Sequence, residues 1–135
     1  MQHKPYLTVD DARRIGQAAV DEALRQGWAV SVAVVDDGGH LLWLQRLDGA
    51  PPISARMAAA KARTAALGRR ESRVYEESIN GGRTAFLSAP ELEGMLEGGV
   101  PVLAEGHCLG AVGVSGVKSS EDAQVPRAGV AALGA

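Results

Sequence analysis

Side chains that can transfer protons or hold an anion follow one another in the stretch VVDDGGHLLWLQRLDGA, residues 34–50. His40 can exchange a proton or ligate a metal, Arg46 can pair with a carboxylate, and Asp48 can act as a base. These residue types at this spacing suit a site for a small anionic molecule. The alternative is that they are the exposed ends of a core strand.

The spacing of this stretch follows the period of two of a β-strand, in which alternate side chains share a face. His40, Leu42, Leu44 and Arg46 would then lie on one face, with an apolar strip between two polar ends. A small-molecule pocket needs such a strip with convergent polar groups. We therefore expect His40, Arg46 and Asp48 to border a ligand site, whereas Gly38 and its neighbours serve the turn.

Lys61 and a glycine pair extend this candidate site. Lys61, in AAAKARTAA, lies four residues after Met57 and so near the apolar face of its helix. There it either extends along its stem to solvent or lines a pocket and exchanges protons. Gly98 and Gly99 precede a strand, where they either present bare N–H groups to a carboxylate or form a tight loop.

Two classes of function are compatible with these residues. In a cofactor-free acid–base enzyme, of the hydratase, dehydratase or tautomerase type, Lys61, His40 and Asp48 would move a proton on a small carboxylic acid. Arg46 and the amides of Gly98 and Gly99 would then hold its carboxylate. The other class is a small-ligand-binding protein without catalysis.

Metal sites and phosphate loops find little support in the sequence. His107 and Cys108 are adjacent, so in a strand their side chains point to opposite faces and do not easily grip one metal. No Cys or His spacing matches a zinc site, and no glycine-rich segment matches a nucleotide-binding motif. We expect no structural metal.

Composition restricts the class of protein further. The chain has 135 residues, 46% of them hydrophobic, as expected for a single domain spanning residues 1–135. Its 14 basic and 16 acidic residues are mixed, which disfavours nucleic acid and anionic membranes as partners. A lone cysteine, no apolar signal core and no long apolar run predict a cytoplasmic protein.

The elements that must position these residues alternate between helices and hairpins. TVDDARRIGQAAVDEALRQG predicts a first helix with a capping box between Thr8 and Asp11, ending at Gly27. Trp28–Asp36 with His40–Leu47 is predicted as one hairpin, and Val100–Glu105 with Cys108–Val114 as another. Helices separate the hairpins, which indicates an α+β fold with an antiparallel sheet.

Three further helices are predicted between and after the hairpins. PPISARMAAAKARTAALGRR is typical of a long helix, ESRVYEESINGG of a short one, and SAPELEGML of another capped by Ser88. The last helix would be capped by Ser119, with Asp122 at the capping-box position. Pro126 should kink this helix or delay its start to about Val125.

Several segments, in this order, resemble the GlcG/HbpS-like haem-binding family. They are SVAVVDDGGHLLWLQRLDGA, AAAKARTAALG, GGVPVL, GAVGVSG and SEDAQVPRAGVAAL, and the resemblance covers about residues 7–133. It implies a profilin-like fold with a five-stranded antiparallel sheet flanked by helices, and homo-oligomers. The family is related to the C-terminal domain of PduO-type proteins, and the resemblance implies haem or a related tetrapyrrole as the ligand. The first helix here contains no histidine, so ligation of haem from that helix has no counterpart.

Overall fold

The computed structural model describes residues 1–134, apart from the side chains of Ser119 and Ser120. The elements in chain order are α1 (Val9–Gln26), β1 (Ser31–Asp36), β2 (Leu41–Arg46), α2 (Ile53–Gly68), α3 (Arg73–Asn80), a 3₁₀ helix (Thr84–Ser88), β3 (Gly99–Ala104), β4 (His107–Ser115) and α4 (Ser119–Ala132).

The four strands form one antiparallel sheet in the order β2-β1-β4-β3. The α+β class is therefore confirmed, but the expected five-stranded sheet is wrong for the described residues. The two hairpins supply all four strands, and a fifth strand was implied only by the family resemblance. The profilin-like description stays a prediction.

Both predicted hairpins are present, with shorter strands in the first. β1 begins at Ser31 because the N–H of Trp28 donates to the carbonyl of Ala23 at 2.9 Å and so completes the end of α1. β2 begins after His40, whose N–H donates to the carboxylate of Asp36 at 2.9 Å within the turn.

A β-bulge in β2 overturns the expected alternation of its side chains. Val34 is opposite Trp43 but Val35 is opposite Leu41, so Leu42 is the additional residue. Leu42 packs against the core beside α1, whereas Leu44, opposite Ala33, lies on the other face and is 41% exposed. The predicted shared face of Leu42 and Leu44 is therefore wrong.

Helices cover both faces of the sheet. α1 and α4 pack on the face that carries Val32 and Val34, and α2 packs on the face that carries Val35. α2 approaches closely because β4 has Gly113 beneath it, where a Cβ would overlap the carbonyl oxygen of Ala58.

Helix ends agree with the sequence in α1 but not near residue 88. Thr8 and Asp11 form the predicted capping box, and Gly27 ends α1 in the left-handed conformation. The helix expected to begin at Ser88 is wrong: Ser88 instead ends the 3₁₀ helix, and its hydroxyl donates to the carbonyl of Ala85 at 2.8 Å. Glu91 has φ 69° and pairs with Arg63, so it does not complete a capping box.

The last helix forms without a delay at its proline. α4 begins at Ser119 and runs through Pro126, so the expected start near Val125 is wrong. The predicted cap by the Ser119 side chain lies outside the described residues. Asp122 does not act within a capping box but accepts from the N–H of Val117 at 3.2 Å.

Candidate functional site

The turns of both hairpins lie at one end of the sheet. β1 and β4 are antiparallel neighbours, with Asp36 opposite Gly110, so the turn after β1 lies beside the turn before β4. The C-terminal end of α2 reaches the same place, where Ala66 lies near Cys108. A cavity of about 330 Å³, here called the hairpin-end pocket, is lined by Lys4, Asp37, Ala66, Arg69, Leu103, Gly106, His107 and Cys108.

Positive charge predominates around this pocket. Lys4 forms an exposed ion pair with Asp37. Arg69 adopts a left-handed conformation with φ 56° as the residue after α2, and within residues 1–134 no carboxylate lies within 4 Å of it. Two cations against one carboxylate favour an anionic ligand.

Two potential donor atoms line the same pocket, although their residues are adjacent. The imidazole of His107 and the thiol of Cys108 are both half-buried. Burial raises the pKa of the Cys108 thiol, while the nearby Arg69 and Lys4 cations partly oppose this. Cys108 is therefore mainly a protonated thiol at neutral pH, and it donates to the carbonyl of Gly110 at 3.4 Å.

Lys61 lies elsewhere, in a buried ion pair. Its Nζ donates to the carboxylate of Asp122 at 2.9 Å and to the carbonyl of Val114 at 3.1 Å. Lys61 is 4% exposed and Asp122 is 3% exposed, so the lysine does not extend to solvent as one of the two expectations had it. The pair joins α2 to α4 across the end of β4. With two of its three donors engaged and little exposure, Lys61 is poorly placed to move a substrate proton.

Gly98 and Gly99 lie beside Lys61, and the N–H of Gly99 is already engaged within the protein. The N–H of Gly99 donates to the hydroxyl of Ser72 at 2.8 Å, and the carbonyl of Gly98 accepts from the N–H of Val114 at 3.0 Å. A Cβ on Gly98 would lie 2.9 Å from Cδ of Lys61. Both glycines therefore serve the close packing of α2 on β3.

His40, Arg46 and Asp48 are exposed, and His40 lies at the opposite end of β2 from the other two. The whole of β2 lies between His40 and Asp48. At roughly 3.3 Å per residue, this strand is about 20 Å long. Of the six residues predicted to form a site, Lys61, Gly98 and Gly99 lie together in one place, and Arg46 and Asp48, two residues apart in the chain, lie in another. Their catalytic or binding roles, and those of His40, Arg46 and Asp48, stay predictions.

Two kinds of feature are absent from the described part of the chain. Within residues 1–134 no group of three or more His, Cys, Asp or Glu side chains is arranged to hold a metal ion. Over the same range, no helix combines the length and the apolar character needed to cross a bilayer.

Known proteins share both the sequence and the shape of this chain. Residues 7–131 match the family described as "Haem degrading protein HbpS-like". The chain belongs to the HbpS-like family. Protein GlcG of Escherichia coli is 55% identical over 115 residues, which cover 85% of each chain.

Two solved structures have the same fold as this HbpS-like chain. A double mutant of HbpS from Streptomyces reticuli superposes with a TM-score of 0.91 at 35% identity, covering 100% of this chain and 92% of that one. A PduOC:haem complex superposes with a TM-score of 0.85, covering 95% of each chain. At 24% identity, the latter likeness concerns the fold alone.

Sequence reasoning missed most of the hairpin-end pocket. Lys4, Asp37 and Arg69 were not singled out, and His107 and Cys108 were considered only as a metal pair. The signal that could have found them is the neighbouring position of β1 and β4, which places the two turns side by side. The contacts of Asp122 with Lys61 and of Ser72 with Gly99 were also missed, because each joins residues that are distant in the chain.

Proposed function

We propose that this HbpS-like protein binds haem or a related tetrapyrrole at the hairpin-end pocket. The observation that carries the proposal is the convergence of one imidazole, His107, and two cations, Lys4 and Arg69, on a single cavity. Haem presents an iron that takes an axial donor and two propionates that pair with cations, so these residue types match its chemistry.

The residues of the pocket fit this ligand in their chemistry. His107 is the preferred axial donor, because the raised pKa of Cys108 keeps the thiol protonated near pH 7. Ala66 and Leu103, of which Leu103 is 52% exposed, offer apolar contact beside the donor. The volume of about 330 Å³ is near the lower end of the range of roughly 300–1,000 Å³ for ligand pockets. The pocket alone therefore suits an edge of the macrocycle.

The comparisons support the same ligand class. The family description names haem, and the PduOC structure of the same fold is a haem complex. Bound haem would supply a redox-active iron. The chain itself would hold the propionates through Lys4 and Arg69 and limit access to the iron through His107.

The alternative function, an acid–base enzyme, has no comparable convergence of side chains to support it. Lys61 is engaged with Asp122, and His40 and Asp48 lie at opposite ends of β2. Asp48 lines a surface cavity that neither Lys61 nor His40 lines. The binding function is therefore the one that the geometry favours.

The chain offers matched controls for the test, because it contains three histidines. Haemin is titrated into the protein and into His107→Ala, His40→Ala and His3→Ala, and the Soret band is followed. We expect a saturable, one-to-one spectral change that His107→Ala weakens at least tenfold, while the other two variants keep it. Saturable binding lost only in His40→Ala would instead favour the turn predicted from the sequence. No saturable change in any protein would refute the proposal.

A further inference from the structure

The N-terminal residues line both the hairpin-end pocket and a second cavity. This cavity has a volume of about 450 Å³ and is lined by Tyr6, Leu7, Thr8, Val9, Asp36, Asp37 and Leu42. Asp37 lines both cavities. Lys4 lines the first cavity and Tyr6 lines the second. Residues 1–6, here called the N-terminal strap, contain no helix or strand.

The strap is held weakly at one end and firmly at the other. Leu7 is 5% exposed within the core, and Thr8 begins the capping box of α1, so the chain is fixed from Leu7 onward. Before Leu7 nearly all side chains are exposed, and Tyr6 is 74% exposed. The ion pair of Lys4 with Asp37 ties the strap to the turn after β1. An exposed pair of this kind shifts an equilibrium by at most about fivefold.

We propose that the Lys4–Asp37 ion pair is a gate, whose opening lifts the N-terminal strap and joins the two cavities into one cleft. The joined cleft would have room for a ligand larger than the hairpin-end pocket alone accepts. Lys4, once released from Asp37, would become free to pair with a carboxylate of that ligand. This last step rests on the proposed function, whereas the gate itself does not.

Cys108 reports on the gate without any ligand. It is the single cysteine of the chain and lines the hairpin-end pocket, so its alkylation by iodoacetamide measures access to that pocket. The rate is measured at one fixed pH for the protein, Lys4→Gln and Asp37→Asn. Both residues are exposed, and thermal unfolding by circular dichroism checks that the fold is retained.

The two substitutions separate access from charge. Asp37 raises the pKa of the Cys108 thiol and Lys4 lowers it, so charge alone would speed alkylation in Asp37→Asn and slow it in Lys4→Gln. Opening of the gate speeds both. We expect the alkylation rate to rise in each variant by up to about fivefold, the limit for an exposed ion pair. The rise should be larger for Asp37→Asn than for Lys4→Gln, because the change of charge adds to the first and opposes the second.

Two further variants complete the experiment. The exchanged pair Lys4→Asp/Asp37→Lys restores an ion pair and should return the rate towards that of the parent protein. Asp10→Asn, which removes exposed pairs with Arg13 and Arg14 at the start of α1, should leave the rate unchanged. Opposite changes in the two single variants, or no change in either, would overturn the gate. Because haemin is absent, a failure of haem binding would not produce either of those results.

Discussion

Removing one member of the buried Lys61–Asp122 pair should destabilise the protein strongly. In Lys61→Met, the N–H of Val117 is the one partner left to the Asp122 carboxylate among the described residues, while Asp122 is 3% exposed. An unpaired buried charge of this kind costs about 3–5 kcal/mol. Since domains are stable by about 5–15 kcal/mol, the variant should lose a large fraction of its free energy of unfolding.

The loss in the free energy of unfolding is measured by urea unfolding of Lys61→Met, Asp122→Asn and the double variant. Each single variant should lose about 3 kcal/mol or more, whereas the double variant, which buries no charge, should recover much of that loss. Losses below about 1 kcal/mol in both single variants, as for an exposed pair, would refute the assignment of a buried ion pair.

The direction in which the stability of Lys61→Met changes with pH is an independent test of the buried ion pair. Burial raises the pKa of the Asp122 carboxyl, and Lys61 opposes that rise. Without Lys61, the Asp122 carboxyl keeps its proton to a higher pH in the folded protein than in the unfolded chain. The contribution of this group to stability is then present at acid pH and lost as the pH rises through the raised pKa. The deficit of Lys61→Met relative to the parent should therefore narrow between pH 7 and pH 5.

Three other outcomes follow from the structure. Alkylation of Cys108 should reach its half-maximal rate above the ordinary thiol pKa of about 8.5, since burial disfavours the thiolate; a plateau by pH 8 would contradict this. Gly113→Ala should lower the free energy of unfolding by about 3 kcal/mol or more, because its Cβ would overlap the carbonyl of Ala58. Gly106→Ala, in open space but with φ 78°, should lose only about 1–2 kcal/mol, and equal losses would argue against the close approach of α2. Light scattering should show at least a dimer, as the family resemblance and the exposed leucines of edge strand β2 suggest, and a monomer at micromolar concentration would contradict it.

Local sequence signals predicted most of the elements, because each depends on residues close together in the chain. The capping box of Thr8 and Asp11 spans only four residues, and the hairpin at Asp36 needs only its turn. The helix wrongly expected at Ser88 failed because of a contact that is distant in the chain. Ser88 followed by Glu91 satisfied a capping pattern, but Glu91 is drawn to Arg63, 28 residues away in the chain.

The candidate site was less predictable, because tertiary contacts create it. Lys61 contacts Asp122, which lies 61 residues away in the chain, and no spacing in the sequence predicts that contact. The hairpin-end pocket needs β1 beside β4, which a list of hairpins does not specify. The bulge at Leu42 likewise changed the face of a residue that a strict period of two had placed beside Leu44.

The most direct test of the account locates the ligand on the protein. Zinc protoporphyrin IX, which carries the two propionates of haem and is diamagnetic, is titrated into ¹⁵N-labelled protein, and the backbone amide signals are followed. The account predicts saturable shifts centred on Asp37, Arg69, His107 and Cys108. Shifts centred instead on Arg46 and Asp48, at the far end of β2, or no saturable shift at all, would contradict it.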